Sequence, residues 1–81
     1  MILIDIEVKA FDKVYDFNVD ENSLISVVIE EIGEMITQQE QCDPVTNYSG
    51  IQLFTPDGKL LKHSKTLGMY GIKDGHTLVM I

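Results

Sequence analysis

Few side chains in this sequence could carry out chemistry. The chain has one cysteine, Cys42, and two histidines, His63 and His76. A thiolate nucleophile needs a base held beside it, and a zinc site needs several such ligands at close spacing. The histidines lie in the other half of the chain and have no ligand spacing with each other or with Cys42. We therefore expect no catalytic residue, cofactor or metal, and interpret Cys42 as an ordinary thiol in a loop or at a helix end.

Carboxylates are the other candidates for chemistry. Asp5 and Glu7 share one face of a predicted strand. Three further acidic residues lie on a predicted helix: Glu30, Glu31 and Glu34. Such groups could in principle bind a cation, but neighbouring surface carboxylates are usually only solvated. The glycines stand singly at turns, which excludes a phosphate-binding glycine loop. The sequon Asn47-Tyr48-Ser49 is interpreted as accidental, because a single cysteine and no leader peptide indicate the cytoplasm.

The charge of the chain is large and uneven. The net charge is −7 at pH 7, and all six basic residues are lysines. Residues 1–43 hold 11 acidic side chains and two lysines, whereas residues 44–81 hold two acidic side chains and four lysines. Such a chain repels phosphate backbones and has no arginine for bidentate phosphate contacts. Nucleic acid is therefore not expected as a partner, and without an apolar run of about 20 residues neither is membrane insertion.

The pattern of the first half predicts a hairpin followed by a helix. Apolar and polar side chains alternate from Ile2 to Val8, as in a strand with one buried face. The same alternation at Tyr15, Phe17 and Val19 predicts the second strand of the hairpin. Asn22 or Ser23 is the expected N-cap of a helix, because the apolar residues that follow have the spacing of one helix face. Its members are Ile25, Val28, Ile29, Ile32, Met35 and Ile36. The helix should end near residues 39–41.

The second half predicts three more strands. A third strand begins at Ile51 and Leu53, a tight turn over residues 56–59 leads to a short fourth strand at Leu60, and residues 77–81 form the fifth. With 81 residues the chain has room for one small domain, covering residues 1–81. The predicted fold class is α+β, a β-grasp with a mixed five-stranded sheet (β-β-α-β-β-β) and one amphipathic helix packed across one face.

The residues that form this core also carry a resemblance. The segment Thr66 to Leu78 has the pattern T-L-x-x-Y-x-I-x-x-x-x-T-L, which resembles the end of ubiquitin. The first half, with Ile4-Asp5-Ile6 and Val14-Tyr15-Asp16-Phe17-Asn18-Val19, is similar to the ubiquitin-like YukD and EsaB proteins of bacterial type VII (WXG100) secretion systems. The resemblance covers the whole chain but lies mostly in core positions, and a shared fold does not by itself assign function.

This resemblance implies a function without catalysis. It suggests an accessory or regulatory cytosolic component of the secretion system, whose partner is the secretion ATPase or a membrane subunit. Ubiquitin is conjugated through a flexible tail that ends in Gly-Gly, whereas Ile81 ends the predicted last strand, so we expect a module that is not conjugated. Two alternatives stay open: a ubiquitin-like domain of a larger membrane subunit, and a modifier or sulfur carrier whose Gly-Gly tail is absent from this sequence.

If the fold is correct, one sheet face is a candidate protein-binding surface. Alternation places Leu78 and Met80 in the core and the neighbouring residues of the last strand on the opposite face. The predicted interaction residues on that face are Gln52, Phe54, Val79, Ile81, Leu3 and Leu60. Scattered surface hydrophobic residues are common, but these would be contiguous. A homodimer through this face or through a strand edge is possible in principle.

Overall fold

The protein was analysed as a computed structural model that describes residues 1–41 and 50–81. The predictions about Cys42, the sequon at residues 47–49 and the loop around Pro44 lie outside the described residues. The elements, in chain order, are β1 (Ile2–Val8), β2 (Lys13–Val19), α1 (Ile25–Glu40), β3 (Leu53–Phe54), β4 (Leu60–Leu61), a short 3-10 turn (Gly68–Tyr70) and β5 (Thr77–Met80).

The strands form one mixed sheet in the order β2-β1-β5-β3-β4. β1 and β2 pair as an antiparallel hairpin, and β3 pairs antiparallel with both β4 and β5. The parallel pair of β1 and β5 joins the two hairpins at the centre of the sheet. The predicted β-grasp topology is therefore confirmed.

One face of the sheet and one face of α1 bury the core. The two central strands contribute alternate residues, so Ile4 and Ile6 of β1 and Leu78 of β5 are fully buried. From α1 the buried side chains are Ile25, Val28, Ile29, Ile32 and Ile36, with Met35 partly buried, as the helical spacing predicts. Alternation in the strands and a 3.6-residue period in the helix thus meet in a single apolar layer.

The start of α1 differs from the prediction. Neither Asn22 nor Ser23 caps it; the helix begins at Ile25, and the cap residue Leu24 makes no side-chain hydrogen bond. The reason is that residues 20–23 form a turn in which the Asp20 carboxylate and carbonyl accept the amides of Asn22 (2.9 Å) and Ser23 (3.0 Å).

The first amides of α1 instead donate to carbonyls from the far half of the chain. The Ile25 amide donates to the Lys65 carbonyl at 2.8 Å and the Ser26 amide to the His63 carbonyl at 3.3 Å. Leu24, in an extended conformation, forms a β-bridge with Thr66 beside them. Amides at a helix start lack partners within the helix, so these tertiary contacts replace a side-chain cap.

The last turn of α1 is tied to β2 by side chains. Glu40 accepts a hydrogen bond from the Lys13 Nζ at 3.0 Å and another from the Tyr15 hydroxyl at 2.9 Å. These contacts hold the pKa of Glu40 below its ordinary value, chiefly through the hydrogen bond from Lys13 and then through that from Tyr15. The helix ends at Glu40, and the cap residue Gln41 adopts a left-handed conformation with φ 52°.

The boundaries of the remaining strands differ slightly from the prediction. β3 begins at Leu53 and not at Ile51, although Ile51 still packs against the core. Pairing continues past β5, since Gln52 and Ile81 exchange two backbone hydrogen bonds of 3.0 Å. The sheet at this end therefore extends to residue 81 in its hydrogen bonding.

Replacing Ile29 by alanine removes a fully buried side chain from the layer between α1 and the sheet. We expect this Ile29→Ala change to lower the free energy of unfolding by about 2–5 kcal/mol, through lost apolar burial and the remaining cavity. Urea denaturation followed by circular dichroism measures the difference. The control is Val27→Ala, because Val27 lies on the exposed face of the same helix and should change stability by only ~0.5 kcal/mol.

The Glu40 contacts predict an acid dependence of stability. Because folding lowers this pKa, ionised Glu40 stabilises the fold above its ordinary pKa of 4.5, and the contribution disappears as pH falls through the folded value. Glu40→Gln should therefore be less stable than the parent protein at neutral pH, with the difference shrinking in acid. Thermal unfolding across this pH range tests it, and a pH-independent difference would show that the charge of Glu40 does not contribute.

Candidate interaction surface

The sheet face opposite α1, here called the outer face, carries a row of apolar side chains that crosses all five strands. In the strand register, Val14 of β2 stands opposite Glu7, Glu7 opposite Val79, Val79 opposite Phe54, and Phe54 opposite Leu60. Directly opposed residues on one face have their Cβ atoms about 5 Å apart. We call Val14, Val79, Phe54 and Leu60 the apolar stripe; it is interrupted only at Glu7.

The members of the apolar stripe differ in exposure. Val14 is 60% exposed and Leu60 45%, whereas Phe54 and Val79 between them are half-buried. The neighbours of Val79 and Phe54 along their own strands, Leu78 and Leu53, are buried on the α1 side. The strand residues that point inward therefore build the core, and those that point outward form the stripe. The two central residues of the stripe are less exposed than the two at its ends.

The predicted interaction residues are not all in one place. Ile81 and Gln52 form the next row beside the stripe, where they are paired through their backbones and Ile81 is 64% exposed. Leu3 lies on the same face opposite Asn18, about 13 Å along β1 from Glu7, with Asp5 between. The geometry thus brings five of the six predicted residues together, and Leu3 stands apart. Their role in binding stays a prediction.

Val14 is an apolar member of this surface that the sequence prediction missed. It lies between Lys13 and Tyr15 on β2 and shares the outer face with Asp16 and Asn18, because side chains alternate along the strand. Only the register, which sets Val14 opposite Glu7 of β1, shows that it extends the row that contains Val79.

Charged groups border the apolar stripe. On one side Asp5 of β1 faces Asp16 of β2, and a hydrogen bond between the two carboxyl groups is the main reason that the pKa of Asp5 is raised, with desolvation and the Asp16 charge adding to it. On the other side Lys9 pairs with Glu7 at 2.9 Å. A shallow groove on this face is lined by Lys9, Phe54, Pro56, Val79 and Ile81 among others.

The histidines make local backbone contacts away from the stripe. His63 Nε2 lies 2.8 Å from the Ile51 carbonyl oxygen, and His76 Nδ1 accepts the Lys73 amide at 3.1 Å. The carboxylates of Glu30, Glu31 and Glu34 are on exposed positions of α1. Across residues 1–41 and 50–81, no three acidic, histidine or cysteine residues are grouped closely enough to hold a metal ion.

Comparison with solved structures defines the class of protein. A ubiquitin-like domain of EccD5 from Mycobacterium xenopi is 20% identical with a TM-score of 0.76, over 99% of this chain and 91% of that one. A ubiquitin-like domain of the Arabidopsis thaliana protein At2g32350 is 20% identical with a TM-score of 0.73, over 99% and 74%. The N-terminal ubiquitin-like domain of the 4931431F19Rik protein is 22% identical with a TM-score of 0.69, over 99% and 72%. The fold is therefore ubiquitin-like.

The family follows from the sequence. Residues 3–80 match the family described as the WXG100 protein secretion system (Wss) protein YukD. The chain belongs to the YukD family, and it is a ubiquitin-like module associated with type VII secretion. A sequence search of curated proteins finds no significant match. In the described parts of the chain, no helix has the length and apolar character needed to cross a membrane.

The facing carboxyl groups of Asp5 and Asp16 predict a second pH effect. Folding raises the Asp5 pKa above its ordinary 3.8, so the parent protein loses stability as pH rises through the folded value. Asp16→Asn removes the repulsion between directly opposed like charges, and should raise the melting temperature at neutral pH. Below the ordinary pKa the difference should vanish.

Thermal unfolding of the Asp16→Asn variant between acid and neutral pH is the measurement. Glu31→Gln is the control, since it removes one negative charge from an exposed position of α1, on the other side of the sheet from Asp5. An equal gain in both variants would attribute the effect to net charge and not to the facing pair.

Proposed function

We propose that this chain is a non-conjugated ubiquitin-like binding module that acts as an accessory or regulatory cytosolic component of a type VII secretion system. Its partner is another protein of that system, either the secretion ATPase or a membrane subunit. Membership of the YukD family supports the association with secretion. The observation that carries the binding role is the apolar stripe, which crosses the outer face in continuous register from β2 to β4.

The composition of the outer face suits binding better than catalysis. Its centre is made of aliphatic and aromatic side chains, whose contribution is the burial of apolar area, and its borders are charged groups that set orientation and specificity. Phe54 is the natural anchor, because it is aromatic and lies half-buried between Val79 and Leu60. A partner that covers the stripe would desolvate these residues together.

A second candidate is supported by one of the structural neighbours. The EccD5 structure is that of a ubiquitin-like domain, and this chain covers 91% of it. The present sequence could accordingly serve as the ubiquitin-like domain of a larger membrane subunit. The reading frame in the native gene separates the two candidates, since a continuation into apolar segments of about 20 residues would support the second.

The stripe predicts a specific loss of association. Phe54→Glu combined with Val79→Glu places two charges at the centre of the outer face, where a partner would have to bury them, and should abolish recovery of secretion ATPase or membrane subunits with the tagged protein. The measurement is affinity purification from the native cells with mass spectrometry, together with light scattering to detect any homodimer. Covalent adducts of the chain, scored in the same spectra, would favour the modifier or sulfur-carrier function.

One control and one further outer-face variant accompany this experiment. Val27→Glu with Gln38→Glu adds the same charge at exposed positions of α1, on the other side of the sheet, and should leave association intact. Leu60→Glu with Ile81→Glu changes two more exposed residues of the outer face, where substitutions disturb the fold least. Unchanged association in folded variants of both outer-face pairs would refute binding through this surface.

A further inference from the structure

Two lysine ammonium groups lie over one aromatic ring beside β4, and a third lysine contacts the same residue through its backbone amide. The Nζ atoms of Lys59 and Lys65 lie 5.0 and 5.7 Å from the centroid of the Tyr70 ring, within the range of cation–π contacts. The hydroxyl of the same tyrosine accepts the Lys62 amide at 3.0 Å. We call Lys59, Lys62, Lys65 and Tyr70 the lysine cluster.

The backbone positions of the lysine cluster are held by tertiary structure. In the turn before β4, the Lys59 carbonyl accepts the Thr55 amide at 2.9 Å, and the Lys59 amide donates to the Thr55 hydroxyl at 3.0 Å. The Lys65 carbonyl accepts the Ile25 amide at the start of α1, at 2.8 Å. The three lysines therefore project from fixed points, and a ligand would meet a surface that is already assembled.

Within residues 1–41 and 50–81, no salt bridge engages the lysines of this cluster. The salt bridges of the described residues use the N-terminus, Lys9 and Lys13, so in this part of the chain no carboxylate lies within 4.0 Å of Lys59, Lys62 or Lys65. The nearest acid in sequence, Asp57, accepts a hydrogen bond from the Thr55 hydroxyl, which is the main cause of its lowered pKa; backbone amides and the charge of Lys59 lower that pKa further. In a chain of net charge −7 the cluster is a local positive site.

The cluster continues directly into the apolar stripe. Lys59 directly precedes Leu60, the stripe residue on β4, and Lys62 follows two residues after it; Leu60 stands opposite Phe54. Alternation turns Lys59 away from the face of Leu60, but β4 is the edge strand of the sheet, so a ligand that covers Leu60 reaches the Lys59 ammonium group by extending around this edge. Apolar contact and positive charge are offered side by side.

From this arrangement we infer that the partner of the outer face is an acidic protein segment, in which carboxylate side chains flank an apolar anchor. The anchor covers Phe54 and Leu60, while the carboxylates pair with the lysine cluster. Three lysines at spaced points match several carboxylates along one segment, and the adjoining apolar stripe matches the anchor between them. The inference rests on the proposed function and adds the chemistry of the partner.

The test uses two labelled synthetic peptides, one alternating leucine with glutamate and one alternating leucine with glutamine, titrated into the intact chain and followed by fluorescence anisotropy. The glutamate peptide should bind more tightly, and added salt should weaken it, because exposed ion pairs are screened. Lys59→Glu with Lys65→Glu should weaken binding by about tenfold or more. Lys73→Glu, in the turn before β5 and outside the cluster, should change it by less than about twofold.

Specific outcomes would overturn the inference. Equal binding of both peptides, or unchanged binding in the Lys59→Glu, Lys65→Glu variant, would show that the cluster does not select carboxylates. Binding to phosphatidylglycerol vesicles but not to the glutamate peptide would assign the cluster to a lipid surface. If the lysine variant still recovers secretion proteins from cells while Phe54→Glu with Val79→Glu does not, the inference fails and the proposed function stands.

Discussion

The parallel pairing of β1 with β5 is the constraint on which the rest of the fold depends. It joins residues 5–8 to residues 77–80 at the centre of the sheet, and each hairpin attaches to one side of it. Its register sets Ile6 beside Leu78 under α1 and Glu7 beside Val79 on the outer face. Since a shift by one residue would exchange the two faces, core and candidate binding surface are specified by the same few hydrogen bonds.

Local patterns predicted the elements better than their connections. The period-2 alternation of β1 and the one-sided helix stripe from Ile25 to Ile36 depend on neighbouring residues, so the sequence indicates them directly. The start of α1 was predicted wrongly at Asn22 or Ser23, because its real cap comes from carbonyls some 40 residues away. Similarly, Phe54 and Val79 were assigned to the outer face by alternation, whereas the place of Val14 in the same row needs the register between β1 and β2.

The fold turns an uneven charge along the chain into separate surfaces. The acidic first half supplies β1, β2 and the exposed side of α1, while three of the four lysines of the second half contact Tyr70. The apolar stripe runs between these regions and touches both, with Asp5 near one border and Lys62 near the other. A surface of this kind distinguishes partners by orientation as well as by apolar fit.

The remote cap of α1 has a consequence for synthesis on the ribosome. The amides of Ile25 and Ser26 have no carbonyl partners until residues 63–65 have been synthesised. The sheet under the helix is incomplete until residues 77–80 have been synthesised. Long-range contacts of this type cannot form while the later residues are still inside the exit tunnel. The emerging chain therefore carries an apolar helix face without its sheet, and the core closes only after residues 77–80 have left the tunnel.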